Sequence, residues 1–154
     1  MPKDKWQFDQ DVTNVFDNML ERSIPEYNTM RALVSNLVNY YSTDYSTVVD
    51  IGCSNGTGIE DMKTRNSNKC DYIGYEISKP MASAAREKFR SAGTSRVNSR
   101  FKDVQIFTRD IAKDGIWNHE YTKVITSILT LMFIPIEHRQ QVIADCYNAL
   151  EKGG

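Results

Sequence analysis

Apolar residues recur along the first forty positions at helical spacing. From Asp9 onward, Val12, Val15, Phe16, Met19 and Leu20 fall at i, i+3, i+4, i+7 and i+8, which predicts an amphipathic helix beginning near Asp9 or Asp11 with all five on one face. Ile24-Pro25 interrupts it, because proline disfavours a helical residue before it and suits the first turn of a following helix. That second helix carries Met30, Leu33, Val34, Leu37, Val38 and Tyr41 on its predicted apolar face, and the polar run 42–46 ends it.

From Thr47 the period shortens. The β-branched run Thr47-Val48-Val49 predicts a buried strand, followed by a short helix over 59–65 and a second strand over 71–76. Ser78 is placed to cap the next helix, with Pro80 in its first turn, Met81, Ala84, Ala85 and Phe89 facing inward, and Gly93 past its end. A polar loop over 94–99 leads to a third strand over 104–107. Asp114-Gly115 marks a turn, a fourth strand spans 121–127, and Pro135 opens a last helix through Val142, Ile143, Cys146 and Leu150. Strands alternating with helices predict an α/β fold: a Rossmann-like parallel sheet with helices on both faces, preceded by two N-terminal helices. The expected organisation is one domain over 1–154, with a helical cap at 1–42 and a Rossmann-like core at 47–154 whose sheet stops after strand four.

Candidate chemistry gathers where these strands end. Asp50-Ile51-Gly52-Cys53-Ser54-Asn55-Gly56-Thr57-Gly58 reads as a strand end, a tight turn and a helix start. Glycines there admit positive φ and a ligand close to the main chain, beside the free N–H groups of a helix N-terminus. The spacing is neither G-x-G-x-x-G nor a P-loop, which lacks its Lys-Ser/Thr here. Glu76 closes the second strand, where an acid about 20 residues beyond a glycine turn accepts from ribose hydroxyls in Rossmann-like folds. Gly52, Glu76, Asp110 and Ser127 are all expected on the carboxyl edge of the sheet, where such sheets bind ligands.

Composition narrows the alternatives. The 154 residues carry a formal net charge of −1, so no global field favours a polyanion, and direct nucleic-acid binding is not expected. Cys53, Cys70 and Cys146 form no C-x-x-C pair and have no histidine cluster, which argues against disulfide and zinc frameworks and for a reducing, cytoplasmic setting. Cys53 reads as a small residue beside the ligand rather than a nucleophile. His119 and His138 read as solvated, and Met30, Met81 and Met132 as core filler. The N-terminus has no apolar leader, and no apolar run approaches the length of a membrane span. No metal site and no catalytic base emerge. Strand four is followed by Ser127-Ile128-Leu129, not by the Asp/Asn-Pro-Pro-Tyr/Phe of amino-group DNA methyltransferases.

Two segments together resemble one family. Phe8-Asp9, Val12, Val15-Phe16, Met19, Arg22-Ser23, Pro25 and Tyr27, followed by Asp50-x-Gly52-Cys53-Ser54-x-Gly56, are similar to the N-terminal segment and cofactor loop of the bacterial carboxy-S-adenosyl-L-methionine synthases. These lie within the class I S-adenosyl-L-methionine (SAM)-dependent methyltransferases. The resemblance implies a SAM-dependent transferase that converts SAM and prephenate into carboxy-SAM, which a companion enzyme uses on the wobble uridine of tRNA. It also implies a small-molecule substrate, with SAM or carboxy-SAM as cofactor. By position, Tyr27 would contact the cofactor from the N-terminal helices, Gly52, Cys53 and Ser54 would lie along its amino-acid part, and Asp50 and Gly56 would belong to the cofactor-binding loop. Glu76 with Ile77 would hold the ribose, Asp110 and Ile111 the adenine, and Ser127 would lie near the methionine portion. The family has Asp-Asn where this chain has Glu76-Ile77, and Asn where Ser127 stands. The sequence ends before a fifth strand and before the family's arginine for the added carboxylate, so either further chain or a homodimer is expected to cover strand four. An ordinary methyltransferase with an unidentified acceptor and a non-catalytic SAM-binding module are the alternatives.

Overall fold

A computed structural model of the protein describes residues 10–91 and 104–154; Phe8, Asp9, Gly93 and the loop expected over 94–99 lie outside them. The chain runs α1 (Gln10–Ser23), α2 (Tyr27–Tyr41), β1 (Thr47–Ile51), α3 (Thr57–Arg65), β2 (Asp71–Glu76), α4 (Lys79–Ser91), β3 (Val104–Thr108), α5 (Ile111–Asp114), β4 (Thr122–Thr126) and α6 (Ile136–Ala149). The described strands make one parallel sheet in the order β3-β2-β1-β4.

The period of two sorts the strand side chains onto two cores. Val48, Tyr72 and Ile106 meet Val38 of α2, Ile59 and Met62 of α3, and Ala82, Ala85 and Phe89 of α4. Val49, Ile51, Ile73 and Tyr75 meet Ile111 of α5, Ile134 and Val142 of α6. Every residue of β1 is buried, as a central parallel strand covered on both faces requires. The expected α/β sheet with helices on both faces is therefore present, with β4 at an edge.

The N-terminal helices depart from the predicted faces. In α1, Phe16 is buried while Val15 is 56% exposed. Pro25 stays outside α2, which begins at Tyr27 after Glu26 in a left-handed conformation (φ 55°). The buried stripe of α2 is Tyr27, Arg31, Ser35 and Val38, while Leu33, Leu37 and Tyr41 face solvent. Most of the polar groups of the stripe are satisfied internally: Arg31 pairs with Asp61 and donates to the Thr57 carbonyl (3.3 Å), and Ser35 Oγ donates to the Arg31 carbonyl (2.9 Å), while Arg31 Nε is buried without a hydrogen-bond partner.

Around β4 the differences are local. A 3-10 turn at Leu131–Phe133 precedes α6, and Met132, expected in the core, is 59% exposed there, whereas Met81 is buried as expected. Val142 is buried on α6 but Ile143 is exposed. Among the described residues, no helix is long and apolar enough to cross a membrane.

Candidate functional site

Parallel register sets the carboxyl ends of the strands side by side: Asp50 beside Thr126, Ile51 beside Tyr75, and Glu76 beside Thr108. Past Ile51 the chain turns with positive φ at alternate residues, Gly52 (75°), Ser54 (50°) and Gly56 (83°). The N–H groups of Gly52 and Cys53 donate to the Tyr75 carbonyl (2.8 and 3.0 Å), and Gly56 N–H to the Cys53 carbonyl (2.9 Å). Glu76 bridges two turns, its Oε2 accepting from Ser54 N–H (2.9 Å) and its Oε1 from Ser78 N–H (2.7 Å). Its backbone carbonyl accepts from Arg109 N–H (2.9 Å). The turns after β1 and β2 thus meet at the Glu76 side chain, and the end of β3 meets its backbone carbonyl.

The glycines have a role the sequence reading did not contain. A Cβ at Gly52 would meet the Thr130 side chain at 2.2 Å, and one at Gly56 would meet Phe89 at 2.8 Å. The near neighbour of Gly52 is therefore the loop after β4, and that of Gly56 is α4. Thr130 gave no signal in sequence, since it lies 78 positions from the backbone it touches.

Two buried carboxyls dominate the electrostatics. Asp50 is pushed up to about 7, chiefly by burial, against the opposing hydrogen bond from Thr126 and with the help of the Glu76 charge; Thr126 Oγ1 donates to its Oδ1 at 2.7 Å. Burial also raises Glu76, with the amides of Ser78, Ser54 and Ile77 acting the other way. A pair of desolvated acids that feel each other's charge favours a cationic, hydrogen-bond-donating ligand. The Cys53 thiol is buried and raised well above its ordinary value by desolvation and by Asp50 and Glu76, a small neutral neighbour rather than a thiolate nucleophile.

The remaining candidates sit around this centre in different states. The Tyr27 ring is buried beneath the Arg31 guanidinium, 5.3 Å from its centroid, and burial raises its hydroxyl while Arg31 opposes. Ile77 is 62% exposed and Ser127 is exposed. Asp110 caps α5 by accepting from Ala112 N–H (3.1 Å), and the Ile111 side chain is in the second core, not free on the surface. His119, expected to be solvated, instead shares a 2.6 Å hydrogen bond with the Tyr75 hydroxyl, and burial lowers its pKa. His138 is exposed. Beside Asp110, the Arg109 guanidinium lies 4.4 Å over Trp117, which stacks edge-on against Phe107. Among the described residues no cluster of three or more His, Cys, Asp or Glu could hold a metal ion.

A cavity of about 540 Å³ opens at the opposite end of the strands, lined among others by Thr47, Asp71, His119 and Lys123. It lies away from the carboxyl edge, where open parallel sheets bind their ligands.

Comparison with known proteins agrees with this layout. A family model described as a methyltransferase domain matches residues 48–154. The chain is 30% identical over 150 residues to the carboxy-S-adenosyl-L-methionine synthase of Actinobacillus pleuropneumoniae serotype 3 (strain JL03), covering 96% of this chain and 58% of that protein. The chain thus spans under two thirds of the length of such relatives. A Methanococcus maripaludis protein assigned as a SAM-dependent methyltransferase has a TM-score of 0.72 at 18% identity, covering 100% of this chain and 64% of that one. SAM-bound CalS10, an amino pentose methyltransferase from Micromonospora echinaspora, has a TM-score of 0.64 at 16% identity, covering 97% of this chain and 55% of that one. At such identities the structural likeness is one of fold. With the family model spanning the sheet from β1 to α6, and with Glu76 tying the turns at its carboxyl edge, the chain belongs to the methyltransferase-domain family and has the Rossmann-like fold of class I SAM-dependent methyltransferases.

Proposed function

We propose that the chain binds SAM at the carboxyl edge of its sheet and acts as a SAM-dependent transferase of the carboxy-SAM synthase type on a small-molecule substrate. The observation that carries this reading is the Glu76 carboxylate, buried between the turns after β1 and β2 and bonded to Ser54 and Ser78. In this reading Glu76, flanked by Ile77, accepts from both ribose hydroxyls as a charge-assisted pair. Gly52, Cys53, Ser54 and Gly56 present backbone to the amino-acid part, with Asp50 and Tyr27 behind them. Asp110 accepts from the adenine amino group, Ile111 contributes its backbone, and Ser127 lies near the methionine portion. The raised Asp50 and Glu76 match a ligand with a sulfonium and an ammonium, either of which would stabilise their ionised forms.

In the carboxy-SAM synthase reading the methyl carbon of bound SAM would exchange one proton for the carboxyl group lost by prephenate, with the hydroxide that leaves prephenate taking up that proton; in ordinary methyl transfer the same carbon would be the electrophile. The chain's own residues hold it in line and exclude water, so orientation rather than a titrating base provides the acceleration. Thr126 keeps the Asp50 carboxyl fixed beneath the turn (2.7 Å). In the carboxy-SAM synthase reading the second substrate is prephenate.

The test is incubation with SAM and prephenate, followed by mass spectrometry. Carboxy-SAM and phenylpyruvate are the expected products. Binding of S-adenosylhomocysteine without turnover would refute the synthase reading, and absence of binding would refute the SAM site altogether. An ordinary methyltransferase is the second reading, favoured by Glu76-Ile77 and the exposed Ser127 where the synthase resemblance has Asp-Asn and Asn.

We further propose that the β4 edge is covered, either by further chain or by a second copy of the chain. Ile136, Ile143 and Tyr147 on neighbouring α6 are exposed apolar side chains, and an open strand edge is normally paired or shielded. Light scattering of the full-length gene product tests the second copy: a dimer supports it, and a monomer overturns it.

A further inference from the structure

One polar cluster outside the expected cofactor contacts ties α1 to the glycine turn. Asp17 Oδ2 accepts from Asn55 Nδ2 (3.0 Å) and from Thr57 Oγ1 (2.9 Å). Thr57 Oγ1 is also within 2.9 Å of Asn55 Oδ1, but it has a single hydrogen, and the carboxylate is the stronger acceptor. Lys88 of α4 donates to that same hydroxyl (2.7 Å) and pairs with Glu60 (3.0 Å). An ammonium on one side of the hydroxyl and a carboxylate on the other polarise it in the same sense, so the chain Lys88, Thr57, Asp17 is mutually strengthening.

These bonds fall where the backbone is least able to hold itself. Ser54 has φ of 50°, a conformation that a non-glycine residue keeps only when its surroundings over-determine it. On one side the surroundings are Glu76, which accepts from Ser54 N–H (2.9 Å). On the other they are Asn55, anchored by Asp17, and Thr57, whose carbonyl accepts from Arg31 of α2 (3.3 Å). The turn is therefore clamped between the sheet and the N-terminal helices.

We propose that Asp17 is a positioning residue for the cofactor turn: by holding Asn55 and Thr57 it couples docking of α1 to the binding geometry of residues 52–58. The inference rests on the SAM site proposed above. Coupling of this kind is reciprocal. A ligand that needs the clamped turn tightens α1, and loss of the Asp17 bonds weakens the ligand without any contact between Asp17 and ligand.

The experiment measures S-adenosylhomocysteine binding by calorimetry, together with hydrogen exchange of α1 with and without that ligand. It compares the unaltered chain, Asp17→Ala, Asp17→Asn, Asn55→Ala and the double variant Asp17→Ala/Asn55→Ala. Asp17→Ala is expected to weaken binding about tenfold, the worth of one charge-assisted hydrogen bond. Asp17→Asn, which keeps an acceptor oxygen, recovers part of it and serves where Asp17→Ala does not fold. The double variant should be little worse than either single, and the ligand should slow α1 exchange only when Asp17 is present. Unchanged affinity in a folded Asp17 variant, or fully additive losses, overturns the positioning role while leaving the SAM site standing. No binding by the unaltered chain overturns both.

Discussion

Replacing Asp50 by asparagine isolates the cost of keeping a carboxyl inside the sheet. Asp50 is 3% exposed, and its carboxyl is pushed up to about 7 from an ordinary 3.8. Between those two values the folded chain binds more protons than the unfolded chain, so this group's contribution to stability is full below about pH 4 and is lost as pH rises through about 7. Between pH 5 and pH 8 the loss assigned to Asp50 is about 2.5 kcal/mol. Asp50→Asn keeps an oxygen for the Thr126 hydroxyl, which donates at 2.7 Å, and removes the titration. Glu76, also raised, loses stability in the same direction, while His119, lowered by burial, gains as pH rises towards its unfolded value. Both groups are present in both proteins and are subtracted in the comparison, apart from the mutual repulsion of Glu76 and Asp50, which belongs to the Asp50 effect. Urea unfolding at pH 5 and pH 8 should show the unaltered chain losing about 2.5 kcal/mol more than Asp50→Asn. Equal losses would refute the raised Asp50.

Three further substitutions probe the same region. Gly52→Ala should cost roughly 3 kcal/mol in urea unfolding, from a positive φ and a collision with Thr130; Thr130→Ala in the same chain should restore about 1 kcal/mol or more by removing the two nearest atoms, and no recovery would mean that the collision is not what limits this position. Glu76→Ala should weaken S-adenosylhomocysteine by roughly 1.5–3 kcal/mol in calorimetry, and an unchanged affinity with an intact fold would remove Glu76 from the site. Tyr75→Phe deletes the hydroxyl shared by His119 Nε2 (2.6 Å) and Trp117 N–H (3.3 Å); a loss of about 1–3 kcal/mol in chemical denaturation is expected, and a neutral outcome would place both partners in contact with water.

What could be read from sequence was the part governed by local period. β1 and β2 and the turn between β1 and α3 were visible because β-branched runs, alternation and glycines act over a few residues. The predicted face of α2 failed for the opposite reason. Arg31 and Ser35 are buried with Asp61, Thr57 and the α2 backbone as partners, while Leu33 and Leu37 stay exposed, so apolar spacing alone points to the wrong stripe. His119 was misplaced similarly, since its partner Tyr75 lies 44 positions away. Of the proposed site, Gly52, Glu76, Asp110 and Ser127 are legible as strand ends. Asp17, Thr126 and Thr130 are not, because each acts through a neighbour that only the assembled sheet supplies.

The stack beside Asp110 gives the chain an optical property. Its tryptophans are Trp6 and Trp117, and the indole of Trp117 lies 4.4 Å beneath the Arg109 guanidinium. The Arg109 backbone is in turn bonded to the Glu76 carbonyl at 2.9 Å. A ligand that settles against Glu76 and Asp110 and displaces Arg109 is expected to change Trp117 fluorescence; unchanged emission on binding would show that the Arg109 stack is not disturbed. Occupancy of the carboxyl edge can then be followed in real time by stopped flow, with the unlabelled chain reporting on itself.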